Sequence, residues 1–204
     1  MLFWKRFWGH LSTITRHRHL VIYHCKKAGI FWQGLRHDLS KYSPTEFWQG
    51  VKYYQGGVRS PNEAEREDLG YSLAWMHHKG RNRHHFEYWS DYNPQTKKME
   101  PVEMPTRYFA EMFCDRVAAS KIYNKSAYTQ ECPLAYFKNS TARKVGMLHP
   151  KTEADLMALL ELLAEQGEDA AFAELRARVK ADRHARWYAR FHRHASAEKD
   201  ASVS

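Results

Sequence analysis

The strongest constraint on the fold is a helix-start signal that occurs twice in the sequence, at Ser43-Pro44-Thr45-Glu46 and at Ser60-Pro61-Asn62-Glu63. In both copies serine stands at the N-cap, proline at the first helical position and glutamate at the third, where its carboxylate can bond back to the N-cap backbone. The first signal predicts a helix through Trp48. The second predicts a helix that continues through Trp75 and ends at Gly80.

The rest of the chain also favours helices, and it shows no convincing alternation of the kind that is typical of strands. Further helices are expected over residues 11–27, 30–37, 105–123, 152–166 and 168–194. Residues 81–104 and 131–150 are expected to be irregular, and the last residues, from about Ala195, to form a frayed tail. The pattern therefore predicts an all-α fold, with a main helical domain over residues 1–148 and a C-terminal helical extension with a basic tail over 149–204.

Cysteine usage and hydropathy bear on the cellular compartment. Cys25, Cys114 and Cys132 are widely spaced and form no CxxC motif, so we expect buried free thiols and neither a disulfide scaffold nor a zinc knuckle. No stretch is apolar for long enough to span a bilayer. Lys5 and Arg6 interrupt the aromatic N-terminal run, and no signal-peptide cleavage site follows. A cytoplasmic location is therefore expected.

The charge balance favours an anionic partner. The chain has 32 Lys and Arg against 23 Asp and Glu, for a formal net charge of +9, which suits a phosphate ester, a nucleotide or a nucleic acid. The basic residues are spread along the chain, except for a dense run between Arg176 and His194. Such a run is more typical of a solvated helix face than of a specific nucleic-acid reader, so nucleic acid is an open but not a favoured partner.

Two predicted helices each have one ionisable side chain on an otherwise apolar face. Asp115 lies in the middle of an apolar stripe, and a buried carboxylate needs a cation, a proton or a metal to be stable. The alternative for Asp115 is an ion pair with an interior Arg or Lys. His24 also lies on an apolar face, two turns after His17, where a lone histidine is more often a hydrogen-bonded core residue than a metal ligand.

Histidines are most concentrated in the middle of the chain, where the pairs His77-His78 and His84-His85 stand on either side of a glycine-containing segment. Neutral imidazoles suit zinc, iron, nickel and manganese. The alternative is a histidine-rich surface loop, but the aromatic residues that follow, Phe86, Tyr88 and Trp89, would be unusual in a solvated loop. We therefore expect at least one histidine of each pair to bind metal.

Taken in order, His24, His37-Asp38, one histidine of each pair and Asp115 form a series that resembles the H…HD…H…H…D ligands of the HD superfamily of metal-dependent hydrolases. The chain resembles more closely a little-characterised bacterial and phage group of HD-like proteins. This closer resemblance rests on the segments His37 to Ser43 with Glu46-Phe47, His77 to Trp89, and Glu111 to Ser120. It covers roughly residues 24–123, and implies an HD-domain-like helical bundle in the first domain.

The resemblance also implies a ligand set for two adjacent divalent metal ions. Asp38 would bridge the ions, and His24, His37 and Asp115 would hold one of them. His78 and His85 are the favoured ligands of the other ion, but His77 and His84 have the same spacing and remain alternatives. The mixture of histidine and aspartate is compatible with Zn, Mn, Mg, Ni or Fe.

Charged and polar residues next to these donors are candidates for substrate chemistry. Asp38, Lys41 and Glu87 are the candidate catalytic residues, with Lys41 placed to contact phosphate or pair with Asp38 and Glu87 as a proton-transfer group. Lys41, Arg81, Asn82 and Arg83 are candidates for binding a small phosphorylated or anionic substrate. Glu46 is a weaker proton-transfer candidate because the helix-start signal already accounts for it.

These features favour a metal-dependent hydrolase of the HD type that acts on a phosphate ester or a nucleotide. A first alternative is an HD-type di-iron oxygenase of a small molecule, which uses the same kind of ligand series. A second is a non-enzymatic, basic nucleic-acid-binding protein, and a third is an HD-like domain with a purely structural metal.

Two apolar surfaces have partners that the sequence leaves open. The N-terminal aromatic residues could pack on the core, on a second subunit or on a membrane surface, in that order of preference; they are Phe3, Trp4, Phe7 and Trp8. A leucine face in the C-terminal extension could pack on the core or on a partner; its members are Leu156, Leu159, Leu160 and Leu163.

Overall fold

The computed structural model describes residues 2–201, with side chains through residue 190, and it has the all-α fold that the sequence predicts. The longer helices are α1 (Phe3–Lys27), α3 (Pro44–Lys52), α4 (Pro61–Leu69), α5 (Leu73–Arg81), α6 (Thr106–Asn124), α7 (Cys132–Asn139) and α9 (Pro150–Ala201). Two four-residue helices, α2 (Phe31–Gly34) and α8 (Thr141–Lys144), complete the set. Short 3-10 turns follow α2, α5 and α6 at Leu39–Tyr42, Phe86–Tyr88 and Lys125–Ala127.

The expected long helix after Ser60 is wrong, because the chain breaks it into α4 and α5. Gly70 ends α4 in the left-handed region, with φ 80°, which glycine adopts without steric cost. Ser72 then starts α5, and its hydroxyl accepts a hydrogen bond from the Trp75 backbone N–H. Gly80, expected as the end of this helix, lies inside α5.

Neither of the segments expected to be irregular is wholly so. Residues 131–150 contain α7 and α8, and residues 81–104 contain a small hairpin that the sequence analysis missed. Strand β1 (Ser90–Asn93) pairs antiparallel with β2 (Lys98–Pro101), and both strands are largely exposed. Two four-residue strands with little buried surface leave no clear hydrophobic alternation to read. The hairpin follows the second histidine pair and leads into α6.

A single hydrophobic cluster joins α1, α6, α7 and α9. The C-terminal leucine face belongs to this cluster, since Leu156, Leu159, Leu160 and Leu163 are fully buried. Gly167 interrupts α9 with φ 89° and ψ 176°, and residues on both sides of it pack into the same core. The expected division between residues 148 and 149 therefore coincides with no break in the hydrophobic packing.

The two ends of the chain extend the predicted helices. Helix α1 begins at Phe3 and includes the aromatic N-terminal run. The backbone of α9 continues past Ala195, where a frayed tail is expected, to Ala201. The three cysteines are free, and Cys25 and Cys114 are buried, as expected. Within the described residues, none of the helices combines the length and the apolar character needed to cross a membrane.

Candidate metal centre

The centre begins at the turn that carries His37 and Asp38, between α2 and the first 3-10 turn. Asp38 has left-handed backbone angles, φ 53° and ψ 27°, a conformation that aspartate tolerates better than most residues but that is still mildly strained. The turn directs both side chains into the interior, where they are 1% and 2% exposed. As a result, His37 Nε2 lies 3.2 Å from Asp38 Oδ2.

The first donor group surrounds one side of Asp38. It consists of His17, His37, Asp38 and Asp115, each offering one ligand atom within 4.8 Å of the others. His17 on α1 places Nε2 at 2.9 Å from Asp115 Oδ1 on α6. The same Asp115 oxygen lies 3.6 Å from His37 Nε2. Two imidazoles and two carboxylates therefore meet at one point between α1, α6 and the turn.

The second donor group shares Asp38 and draws its histidines from the middle of the chain. It consists of Asp38, His78, His84 and His85. Asp38 Oδ1 lies 3.2 Å from His78 Nε2 on α5 and 3.4 Å from His84 Nε2 in the loop that follows. The two groups are thus adjacent, with one Asp38 oxygen facing each.

The donor atoms of these groups are close together but are not aligned as hydrogen-bond donors and acceptors. Within the described part of the chain, the five histidine Nε2 atoms and Asp38 Oδ1 are buried without a hydrogen-bond partner, and Asp38 Oδ2 makes an ion pair with Lys41 but no aligned hydrogen bond. Leaving such atoms unpaired costs about 1–3 kcal/mol each. Atoms that bind one ion at about 2.1 Å lie about 3.0–3.4 Å from one another. The distances from the aspartate oxygens to the nearby imidazole nitrogens, 2.9–3.6 Å, are close to this size, so the donor set fits metal coordination.

Carboxylates hold the opposite nitrogens of the same rings. Glu111 Oε1 lies 2.9 Å from His37 Nδ1 and 3.2 Å from His84 Nδ1. Glu46 Oε2 lies 2.7 Å from His78 Nδ1. An ionised carboxylate only accepts, so each Nδ1 carries the donated proton and Nε2 is the nitrogen that remains for a metal ion. This arrangement of carboxylate, histidine and ligand atom is typical of metal sites.

The electrostatics of the centre favour ionised carboxylates. Burial alone would raise the pKa of Asp38, but His37, Lys41 and His78 together lower it well below its usual value. Burial likewise opposes ionisation of Glu111, and hydrogen bonds from His37 and His84 lower its pKa to about 2. The carboxylates therefore keep their negative charge at neutral pH, as metal ligands and their supporting groups must.

The imidazoles divide into two kinds. Burial lowers the pKa of His17 and lowers that of His85 well below its usual value. For His37, burial acts in the same direction, but the carboxylates of Asp38, Asp115 and Glu111 outweigh it and raise the pKa well above the usual value. Two rings are thus neutral at pH 7, while His37 binds a proton that a metal ion would displace.

His24, predicted as a ligand, does not lie in either donor group. Its Nδ1 is 3.4 Å from the Cys114 carbonyl oxygen, its Nε2 is 3.3 Å from Lys121 Nζ, and its ring stacks on Phe172 at a centroid distance of 5.1 Å. Both nitrogens thus have partners already. The nearby position in the donor group belongs to His17, two helical turns earlier on α1.

The histidine pairs behave differently from each other. In the first pair, His78 joins the second donor group and His77 turns away to Glu46, with Nδ1 at 2.6 Å from Oε1. In the second pair, both His84 and His85 belong to the group. The favoured choice of one histidine from each pair therefore describes the first pair and not the second.

Glu46 has a different role from the one that its helix-start signal suggests. Helix α3 begins at Pro44 as predicted, but the Ser43 side chain makes no capping hydrogen bond, and its hydroxyl is buried without a partner. The Glu46 carboxylate instead reaches across to His77 and His78 on α5. It is a supporting group of the centre, so the signal explains only part of its presence.

Residues 6–162 match a family that is described as a family of unknown function, DUF5662. The chain belongs to this family. No curated protein and no solved structure matches the chain. Every donor and supporting carboxylate of the centre lies within the part that matches DUF5662, whereas most of α9, after residue 162, lies outside it. The resemblance to the HD superfamily stays a prediction.

Of the residues predicted to bind substrate, Lys41 lies closest to the donor groups. Its Nζ is 2.6 Å from Asp38 Oδ2, and its side chain is 30% exposed. Asn82 is instead used within the protein, since its amide nitrogen donates to Ser40 Oγ and to the His78 carbonyl oxygen. Arg83 is exposed and donates to the Tyr108 hydroxyl.

Arg81 and Glu87 flank the second histidine pair. Arg81 is exposed at the end of α5. Glu87 lies in the 3-10 turn after His85; burial raises its pKa, and its Oε2 is buried without a hydrogen-bond partner. A carboxyl group with a raised pKa retains its proton to higher pH, which suits a proton donor. Neither residue is part of the donor groups.

Sequence reasoning missed two residues of the centre. The sequence contained a signal for His17, because it stands seven residues before His24 and therefore lies on the same face of α1. Glu111 was also available, since it stands four residues before Asp115 and thus on the same face of α6. In both cases the helical spacing identifies the face, but not which residue on that face lies opposite Asp38.

Proposed function

We propose that the protein is a metal-dependent hydrolase that binds two adjacent divalent cations and cleaves a phosphate ester or a nucleotide. The observation that carries the proposal is the convergence of five unpaired, buried Nε2 atoms on Asp38 and Asp115, in two groups that share Asp38. Buried polar atoms without partners are rare in folded proteins unless they serve a ligand. A pair of cations satisfies all of these atoms together.

The arrangement of ligands supports a site with two ions and not two separate sites. Each Asp38 oxygen faces one donor group, so one carboxylate would bridge the ions. His17, His37 and Asp115 would complete the first site, and His78, His84 and His85 the second. Bound in this way, two divalent cations activate a water molecule and neutralise charge on phosphoryl oxygens.

The remaining side chains have roles that follow from their positions. Glu111 and Glu46 hold the Nδ1 atoms of His37, His84 and His78, which would leave their Nε2 atoms to hold the ions. Lys41 supplies a partly exposed positive charge next to Asp38, which suits contact with a phosphoryl oxygen. Glu87, with its raised pKa, is the candidate donor of a proton to the leaving group.

A second candidate function is a di-iron oxygenase of a small molecule. The observation that favours it is the composition of the donor groups, which contain five histidines and two aspartates and no thiolate. Imidazole and carboxylate ligands suit iron as well as they suit zinc or manganese. The two candidates differ in the metal and in the need for oxygen.

The test begins with elemental analysis of protein purified without a histidine tag, followed by reconstitution with Zn, Mn, Mg, Ni or Fe in turn. Each form is incubated with nucleotides and with phosphate mono- and diesters, and product release is measured. We expect release with at least one metal, and none from Asp38→Asn. Absence of release above Asp38→Asn with every metal overturns the hydrolase proposal.

The matched control for this test is His24→Gln. It removes a buried histidine that has its own partners, and it should retain metal and activity.

The identity of the bound metal and the response to oxygen separate the two candidates. Iron in the isolated protein, together with a spectral change on exposure to oxygen, favours the oxygenase. Protein that binds none of the five metals removes both candidates.

A further inference from the structure

A second feature of the molecule, separate from the metal centre, is a continuous cluster of aromatic rings on α1 and α3, which we call the N-terminal aromatic patch. Its members are Phe3, Trp4, Phe7, Trp8, Phe47 and Trp48. Phe7 joins the two helices, with ring centroids 5.3 Å from Phe47 and 6.0 Å from Trp48. Phe3 stacks on Trp48 at 6.3 Å. The rings therefore form one surface and not a set of isolated side chains.

Much of this patch is exposed. The exposed fractions are 65% for Trp4, 61% for Trp8, 52% for Phe3 and 51% for Trp48. Trp4 and Trp8 are one helical turn apart and thus project from the same side of α1. Contiguous exposed apolar patches of this kind mark interaction sites, unlike single exposed hydrophobic residues.

The N-terminal part of α1 carries charges of one sign. Residues 1–37 contain no Asp or Glu, although cations farther along this segment, such as Lys27 with Asp169, are paired elsewhere. Lys5 lies within the aromatic run and is exposed, and Lys52 at the end of α3 is 60% exposed. The nearest acid to Lys52 is Asp68, at 4.0 Å and itself exposed, which screens that charge only weakly.

We propose that the N-terminal aromatic patch docks on the surface of an anionic lipid bilayer, with the exposed tryptophans in the headgroup region and the ammonium groups of Lys5 and Lys52 on the lipid phosphates. Tryptophan prefers the membrane interface, and basic helices with aromatic residues lie in its plane. Each Lys or Arg near an anionic surface adds attraction. The exposed charges of Lys5 and Lys52 complement this surface.

Two other occupants agree less well with the same observations. A second copy of the chain would bring the cations of both copies together, without an acidic residue in the patch to offset them. Single-stranded nucleic acid stacks on open ring faces, whereas here Trp4 and Trp8 pack edge-on against neighbouring rings, at 5.9 Å and 5.1 Å from Phe7. Each of these occupants is an outcome of the test below.

The test uses the full chain and sedimentation with vesicles of phosphatidylglycerol and phosphatidylcholine, or of phosphatidylcholine alone. We expect binding to the anionic vesicles only, weakened by salt. The double variant Trp4→Ser with Trp8→Ser should lose more than about tenfold in partition coefficient because less apolar area is buried. Lys5→Gln should lose about fivefold. Trp32→Ser is the matched control, since Trp32 is 73% exposed outside the patch, and it should bind like the unchanged protein.

Quenching of tryptophan fluorescence by brominated lipid gives a second measurement on the unchanged protein, which does not depend on folding of the variants. Equal binding to both vesicle types, or no binding to anionic vesicles, overturns the proposal. So does equal binding of the unchanged protein and the double variant. Two results assign the patch to another occupant, if the unchanged protein does not bind vesicles. One is binding of a single-stranded oligonucleotide that the double variant loses. The other is a concentration-dependent dimer that the double variant does not form.

Discussion

His17 and His24 lie on the same face of α1, two turns apart, and both are buried, with 7% and 0% of their surface exposed. By residue type, spacing and burial they are close to equivalent. Their surroundings on α6 differ, however. His17 meets Asp115, whereas His24 meets Lys121 and the Cys114 carbonyl oxygen.

The difference lies in whether the ring nitrogens have partners. His17 Nε2 is buried without a hydrogen-bond partner and belongs to a group of four donor atoms. Both His24 nitrogens have a partner, so neither is left for a metal ion. A buried histidine is therefore a ligand candidate only when it has an unpaired nitrogen and that nitrogen lies close to other unpaired donor atoms.

The largest expected effect comes from the carboxylate that the two donor groups share. Asp38→Asn should reduce the metal content from about two ions per chain to nearly none, since a neutral amide is a much weaker ligand for both sites. Glu168→Gln is the control, because it removes a carboxylate from the surroundings of His24. Elemental analysis should find this control unchanged; similar metal content in both variants would contradict the two-site arrangement.

Replacing His17 and His24 separately with glutamine tests which of the two histidines is a metal ligand. His17→Gln should lose about one ion per chain because only the first donor group contains His17. His24→Gln should retain both ions and lose about 1–3 kcal/mol of unfolding free energy, as expected for a buried hydrogen-bonded group. Metal analysis and urea denaturation measure the two effects. The assignment of His17 is wrong if His24→Gln loses an ion and His17→Gln does not.

A smaller effect is expected from the supporting carboxylates. Glu46→Gln should weaken metal binding by about 10–100-fold, because the amide holds His78 Nδ1–H less strongly. The control is Glu65→Gln: Glu65 is also buried, but it accepts hydrogen bonds from Ser72 and the start of α5. Competition with a chelator measures the affinity. The control should lower stability and leave the affinity unchanged, and the reverse pattern would exclude the role of Glu46.

A separate effect, on stability and not on metal binding, is a pH dependence that originates from His24. Burial, followed by the charge of Lys121, lowers its pKa from 6.5 to about 4. The unfolded chain therefore binds the proton first, so the stabilisation from neutral His24 is complete above pH 6.5 and is lost as pH falls towards 4. It amounts to about 3 kcal/mol.

His24→Gln should accordingly flatten the decrease in unfolding free energy between pH 6.5 and pH 4. The measurement is urea denaturation of metal-free protein. The metal ligands titrate alike in the unchanged protein and in His24→Gln, so the difference between the two reports on His24. His10, whose pKa burial also lowers to about 4, should leave a residual slope. If the unfolding free energy of the variant has the same slope against pH as that of the unchanged protein, His24 has the same pKa in the folded and unfolded states.

Sequence signals predicted the helical fold well where they were local. Pro44 and Pro61 start helices as expected, α6 covers the expected range, and Gly167 interrupts the C-terminal helix. The error after α4 arose because Gly70 and Ser72 together form a stop and a new start within three residues. The missed hairpin is short and exposed, so its hydrophobic pattern is weak.

The candidate centre was predictable in its chemistry and not in its membership. His37, Asp38 and Asp115 meet as the resemblance implies. For Asp115 alone, the apolar stripe around it also indicated a buried carboxylate that needs a cation, a proton or a metal. His17 was passed over for His24 because helical periodicity specifies the face of α1, not how far α1 is shifted along α6. Glu46 was assigned to a local cap because the histidine pair that it contacts is about thirty residues away in the chain.

By itself, the sequence determined that the chain is helical, that its core includes a carboxylate, and that it holds an unusual number of imidazoles. Only the tertiary structure decided which imidazoles meet Asp38 and which are paired elsewhere. The physical reason is the range of the interactions. Helix formation depends on neighbours within about four residues, whereas metal ligands must agree within a few tenths of an ångström across segments that packing alone brings together.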